Sequence, residues 1–287
     1  MDPRINDLYS DYRNGRLERR RFLRKLALLA GGTAAAVNLL SILEQRQASA
    51  AVPAPIQDPG LNSEFITYRG ASGEMRAYLS HPKTDQKLPA VVVIHENRGL
   101  VPHIMDVNRR MAREGFVALA PDALSPLGGT PEDQDEGRNM FGRLDRETTV
   151  RDFIAAVEYL KTHPLTTGKV GCTGFCWGGA MTNQVAVHAT GLDAAVPYYG
   201  SQPDPGEVPE IEAPMMLHYA GEDERINQGI PAFEEALKKA GVEYEIYIYE
   251  GAQHAFNNDS NQERYDKEAA ELAWKRTVQF FKTKLKD

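Results

Sequence analysis

The sequence predicts an α/β domain with a mostly parallel sheet and helices on both faces. Strand-like runs alternate with helix-like runs through most of the chain, the order that builds parallel sheets. Leu88-Pro89-Ala90-Val91-Val92-Val93-Ile94 is an unbroken apolar run, the mark of a strand covered on both sides. No internal repeat competes with this reading, and 287 residues suffice for one large α/β unit with a core needing no staples.

The elements follow in order. Residues 63–68 and 75–80 read as two strands around Gly70-Ala71-Ser72-Gly73, a plausible hairpin. After the apolar strand, 106–114 reads as a helix that Gly115 ends, and 116–120 as the next buried strand. Residues 121–145 are polar and rich in Gly, Pro and acids, which predicts a long loop or lid. Val150, Phe153, Ile154, Val157 and Leu160 carry helical spacing over 148–163. Then come a strand at 169–174, a helix at 178–189, strands at 194–199 and 214–219, and a helix at 230–240 closed by Gly241. A strand at 244–249 and a helix at 267–284 complete the chain.

Composition narrows the function classes. At 42% hydrophobic and 25% charged, the chain is neither disordered nor a disulfide scaffold. A net charge of −7 argues against nucleic acid as the main partner. The charge is uneven. Residues 1–50 hold nine basic and five acidic groups, against 24 and 35 in the remainder. Arg19-Arg20-Arg21-Phe22-Leu23-Arg24 precedes 18 uncharged residues, 26–43, and then Ala48-Ser49-Ala50. Charged head, apolar stretch and small-residue exit are the parts of an export signal. The segment resembles a twin-arginine signal, with Glu18 where Ser or Thr is usual and Arg24 where Lys is frequent. The expected organisation is a signal at 1–50 engaging export machinery, a linker at 51–62 and a domain at 63–287, delivered to the periplasm. The alternative is a membrane anchor through 26–43, although 18 helical residues span only about 27 Å.

The two cysteines are Cys172 and Cys176. Four residues along a strand separate their Cα atoms by about 13 Å, too far for a disulfide. No second pair completes a zinc cage. Gly174-Phe175-Cys176-Trp177-Gly178-Gly179 lies at a strand-to-helix junction and forms a G-x-nucleophile-x-G elbow with Cys in place of Ser. The elbow sets the thiol near a helix N-terminus, which favours the thiolate. The plainer alternative is a buried structural cysteine in a packing turn.

A nucleophile needs a base and a group to orient it, and in this fold the acid precedes the histidine. Asp223 in Gly221-Glu222-Asp223-Glu224 and His254 in Gln253-His254-Ala255-Phe256 each follow a strand, the end at which open α/β sheets build sites. Glu222 and Glu224 compete with Asp223 for the acid role. The loop Ile94-His95-Glu96-Asn97-Arg98-Gly99 is placed to supply one oxyanion-hole N–H from Asn97, with Trp177 supplying the other.

Through His95-Glu96, the Cys176 elbow, Gly221-Glu222-Asp223 and His254-Ala255-Phe256, the body is similar to the dienelactone hydrolase (carboxymethylenebutenolidase) family over residues 63–285. With its export signal it resembles the YghX-like exported branch. The resemblance implies an α/β-hydrolase fold and a Cys176-His254-Asp223 triad opening an ester or lactone through a thioester, with no metal or cofactor. It implies that Glu96 contacts the thiol and promotes the thiolate when substrate binds. Members that take dienelactone carry Arg four residues beyond the histidine to hold the substrate carboxylate. Here that position is Asn258, and Arg98 and Arg225 are the candidates to replace it. The rival readings are a peptidase or acyl-aminoacyl hydrolase on the same fold, a binding module retaining the elbow, and a thiol-redox protein.

Overall fold

The computed structural model describes residues 4–5, 8–9, 12, 17–33, 35–36, 39–40 and 58–286. Ala48-Ser49-Ala50, most of the expected linker and part of the 26–43 stretch lie outside them. The chain divides into two compact units, Met1–Pro53 and Ala54–Asp287. In the first, helix α1 (Arg19–Ala30) ends at Gly31, whose φ of 80° suits glycine. Phe22 and Leu26 are buried there. Among the described residues no helix is long and apolar enough to cross a membrane.

The second unit is an eight-stranded sheet in the order β1-β2-β4-β3-β5-β6-β7-β8. Its strands are β1 (Leu61–Arg69), β2 (Glu74–Pro82), β3 (Leu88–Ile94), β4 (Val117–Pro121), β5 (Thr166–Phe175), β6 (Ala194–Tyr198), β7 (Met215–Ala220) and β8 (Tyr244–Tyr249). β1 begins inside the stretch expected as linker. The hairpin β1-β2 joins β4 antiparallel, and every pairing from β4 to β8 is parallel.

Pleating sends alternate residues of β3 to opposite faces. Ala90, Val92 and Ile94 enter one core with α4 (Arg146–Thr162), α5 (Trp177–His188) and α7 (Ile230–Ala240). Val91 and Val93 enter the other with α2 (Pro102–Arg113) and α8 (Lys267–Lys284). From Ala90 to Ile94 the run is apolar because neither face meets water. Each fully buried Val or Ile contributes about 1.5–3 kcal/mol relative to exposure.

The segment expected as a long loop is folded. A 3-10 turn (Ser125–Leu127), helix α3 (Gln134–Met140) and a second 3-10 turn (Phe141–Arg143) occupy it. Asp122 pins its start: Oδ1 accepts from Thr130 Oγ1 at 2.7 Å and Leu124 N at 3.0 Å, and Oδ2 from Thr130 N at 2.8 Å. Asp133 caps α3. Polar composition hid a helix whose order comes from side-chain caps rather than an apolar stripe.

Candidate active site

Register brings the carboxyl ends of the parallel strands to one edge. Ile94 pairs with Gly174, Phe175 with Tyr198, Tyr198 with His218, and Ala220 with Tyr249. The loops beyond them carry Glu96, Cys176, Tyr199, Asp223 and His254. The described non-glycine residues with positive φ are Cys176 (56°), Tyr199 (36°) and Ala255 (70°), all in these loops. Such strain costs of order 1–3 kcal/mol per residue and gathers at functional sites.

Cys176 forms the turn between β5 and α5. The turn is so tight that a Cβ at Gly174 would lie 2.3 Å from Gly178 O, and one at Gly178 would lie 2.4 Å from His95 O. The two glycines therefore have no tolerable replacement. Burial pushes the thiol up to about 11, and the Glu96 charge adds to this. A hydrogen bond from the Trp177 N–H and the Arg225 charge oppose it. The helix N-terminus thus does not win: at rest Cys176 is a thiol. Cys172 is buried in β5 within 3.8 Å of Thr182 Oγ1, and burial pushes it up to about 12.

His254 Nδ1 donates to Asp223 Oδ2, leaving Nε2 as the acceptor nitrogen. The acid and histidine loops are tied by their backbones: Gly221 N–H donates to Tyr249 O at 2.7 Å, and Glu222 N–H to Ala252 O at 2.9 Å. Asp223 is buried, whereas Glu222 and Glu224 are exposed. Asp223 precedes a short helix that the sequence reading missed, α6 (Glu224–Asn227), yet gives it no side-chain cap. Asn227 Nδ2 supports the loop by donating to Ala220 O at 2.8 Å. The Tyr199 ring, 5.1 Å from His254, also borders the site.

Glu96 is partly buried, and burial raises its pKa despite pulls from Asn258, Arg98 and Arg264. Asn258 Oδ1 accepts from Ser260 N at 3.0 Å, which fixes the amide orientation, and Nδ2 donates to Glu96 Oε2 at 2.7 Å. Asp259 anchors this loop to α2 through Arg110 and His103. Asn258 and Glu96 stand 162 residues apart, so no local pattern announced their bond. Arg98, in the loop after β3, turns its side chain to α3, donating to Gln134 Oε1 at 3.1 Å with Asp135 3.9 Å away. Arg225 is exposed on α6, and its side chain makes no hydrogen bond or ion pair among the described residues. Asn97 lies in the loop after β3, and Trp177, the first residue of α5, turns its backbone N–H to the thiol. A cavity of about 250 Å³ opens beside Trp177, lined by Phe141, Leu144, Thr149, Met181 and Ser201 among others. Among the described residues no cluster of three or more His, Cys, Asp or Glu could hold a metal ion.

The Glu96 charge should be felt chemically. In Glu96→Gln, losing a repelling charge lowers the Cys176 pKa, so iodoacetamide alkylation at pH 8 rises several-fold and the alkylation–pH midpoint moves down by about one pH unit. Ester turnover should fall by about 10²-fold with the lost proton acceptor. An unchanged midpoint would reduce Glu96 to a loop-holding residue.

The model of the dienelactone hydrolase family matches residues 75–285. A carboxymethylenebutenolidase-like protein of Saccharolobus solfataricus is 33% identical over 255 residues, covering 76% of this chain and 97% of its own length. A crystal structure of a dienelactone hydrolase-like protein from Klebsiella pneumoniae superposes with a TM-score of 0.70 at 28% identity, over 77% of this chain and 98% of that one. The acylaminoacyl peptidase of Pyrococcus horikoshii shares the fold, with a TM-score of 0.63 at 18% identity, over 79% of this chain and 42% of its own.

Proposed function

Because the chain belongs to the dienelactone hydrolase family, we propose that it hydrolyses an ester or lactone through a thioester on Cys176. The observation that carries the reading is the Asp223–His254 bond, beside a cysteine held at positive φ between two glycines that cannot be enlarged. When substrate binds, the thiol proton passes to His254 Nε2, and the Glu96 carboxylate assists its departure from sulfur. The thiolate then attacks the carbonyl carbon, and the oxyanion is received by the Asn97 and Trp177 N–H groups. The C–O bond breaks and the alcohol leaves with a proton from His254. A water molecule, deprotonated by His254, attacks the thioester and releases the acid and the free thiol.

Asn258 directs a donor to Glu96 in the place where the family's dienelactone-binding arginine would stand. The expected substrates are therefore esters and lactones that need no carboxylate clamp at that position. The Pyrococcus peptidase keeps a second reading in view. A panel of p-nitrophenyl esters, neutral lactones, dienelactone and peptide p-nitroanilides decides between them. Neutral esters or lactones should exceed anilides by about 10²-fold in kcat/KM, and dienelactone should gain nothing from its carboxylate. Preference for anilides would overturn the reading.

A further inference from the structure

We propose that His95 is a positioning residue that aims the oxyanion-donating peptide; the proposal rests on the role given above to Asn97. The carbonyl of Glu96 and the N–H of Asn97 belong to one peptide group. That group is planar and trans, so its C=O and N–H point in opposite directions. Whatever fixes the Glu96 carbonyl also aims the Asn97 N–H. His95 Nδ1 lies 2.7 Å from Glu96 O, and the Ala123 N–H points at His95 Nε2 from 3.1 Å. A carbonyl can only accept and an amide N–H can only donate. The ring is therefore neutral, with its proton on Nδ1.

The ring has no freedom to change partners. It is fully buried, and burial holds its pKa below the usual histidine value against the opposing charge of Asp122. It stacks on Trp177 with centroids 5.6 Å apart and planes 12° apart, and meets the edge of Phe141 at 5.8 Å. One imidazole thus links the loop after β3, the loop after β4 and the first residue of α5, whose own N–H is the second donor. The β3 loop and α5 also touch through backbone, since a Cβ on Gly178 would strike the Ile94 and His95 carbonyl oxygens. The Asn97 N–H itself donates to no described residue. A donor aimed in advance needs no reorganisation when negative charge develops.

Two variants separate aim from packing. His95→Phe keeps a stacking ring and loses both hydrogen bonds. His95→Asn keeps a donor in the place of Nδ1 and loses the acceptor for Ala123. In His95→Phe, kcat on an ester should fall by about 10²-fold, the range for losing one oxyanion donor. KM and the rate of Cys176 alkylation, which develops no oxyanion, should stay within twofold. His95→Asn should recover kcat to within about tenfold of the parent. Crystal structures should show the Glu96 carbonyl rotated in His95→Phe and retained in His95→Asn. Equal kcat losses in the two variants, or an unrotated peptide in His95→Phe, would overturn the proposal. If His95→Phe does not fold, His95→Asn alone decides: retained kcat supports the donor role and a 10²-fold loss rejects it. An unmutated protein inactive on every ester and lactone would instead defeat the hydrolase reading, while the peptide orientation in the two variants still decides this one.

Discussion

Cys176→Ala should abolish ester turnover, by up to roughly 10⁶-fold, while leaving the fold intact. Alanine at φ 56° is as strained as cysteine, so stability should move by less than about 1 kcal/mol. Cys172→Ala should behave in the opposite way. Its thiol is buried between Val92 and Ala195 on neighbouring strands, so truncation leaves a small void costing about 1–2 kcal/mol. Turnover should stay within a few-fold of the parent. Initial rates on a p-nitrophenyl ester, paired with thermal denaturation, read both effects. A dead Cys172→Ala with an active Cys176→Ala would remove the elbow from the chemistry.

Asp223→Asn should lower kcat/KM by about 10⁴-fold without unfolding. A carboxylate accepts the Nδ1 proton of His254, which leaves Nε2 free to take the thiol proton. An amide can instead present its N–H to Nδ1, and the ring then carries its proton on Nε2, where it cannot act as a base. The loop itself should hold, because the Gly221 and Glu222 N–H groups and the Asn227 side-chain amide fix it, and the substitution touches none of them. Glu222→Gln and Glu224→Gln, both at exposed positions, should stay within twofold. A larger defect in either glutamate variant would move the acid away from Asp223.

The parts of this protein that could be read from sequence are those written in neighbouring residues. Alternating strand and helix patterns gave the parallel sheet, and Gly174-x-Cys176-x-Gly178 gave the elbow. Asp223 and His254 stood out because each closely follows a strand. What escaped depends on distance along the chain or on environment. The Asn258–Glu96 bond joins two loops with no shared pattern. The Glu96 charge beside Cys176 could be read from the sequence, but the burial that raises the thiol more than that charge does is a property of the folded chain. Helix α3 has no apolar stripe to announce it, and α6 is only four residues long. The proton on His95 Nδ1 follows from two backbone partners that only the folded chain brings together.

The clamp on the loop after His254 bears on how such an enzyme changes over generations. Asp259 fastens that loop to α2, and among the described residues the Asn258 side chain bonds to Glu96 and Ser260. The loop's attachment to α2 therefore does not run through residue 258, whose own contribution to the loop is the turn its Oδ1 makes with the Ser260 N–H. On the proposed substrate reading, a change at residue 258 alters what the site accepts without disturbing the sheet, the elbow or the acid–histidine pair. Drift in diet and constancy of chemistry are kept on separate genetic ledgers.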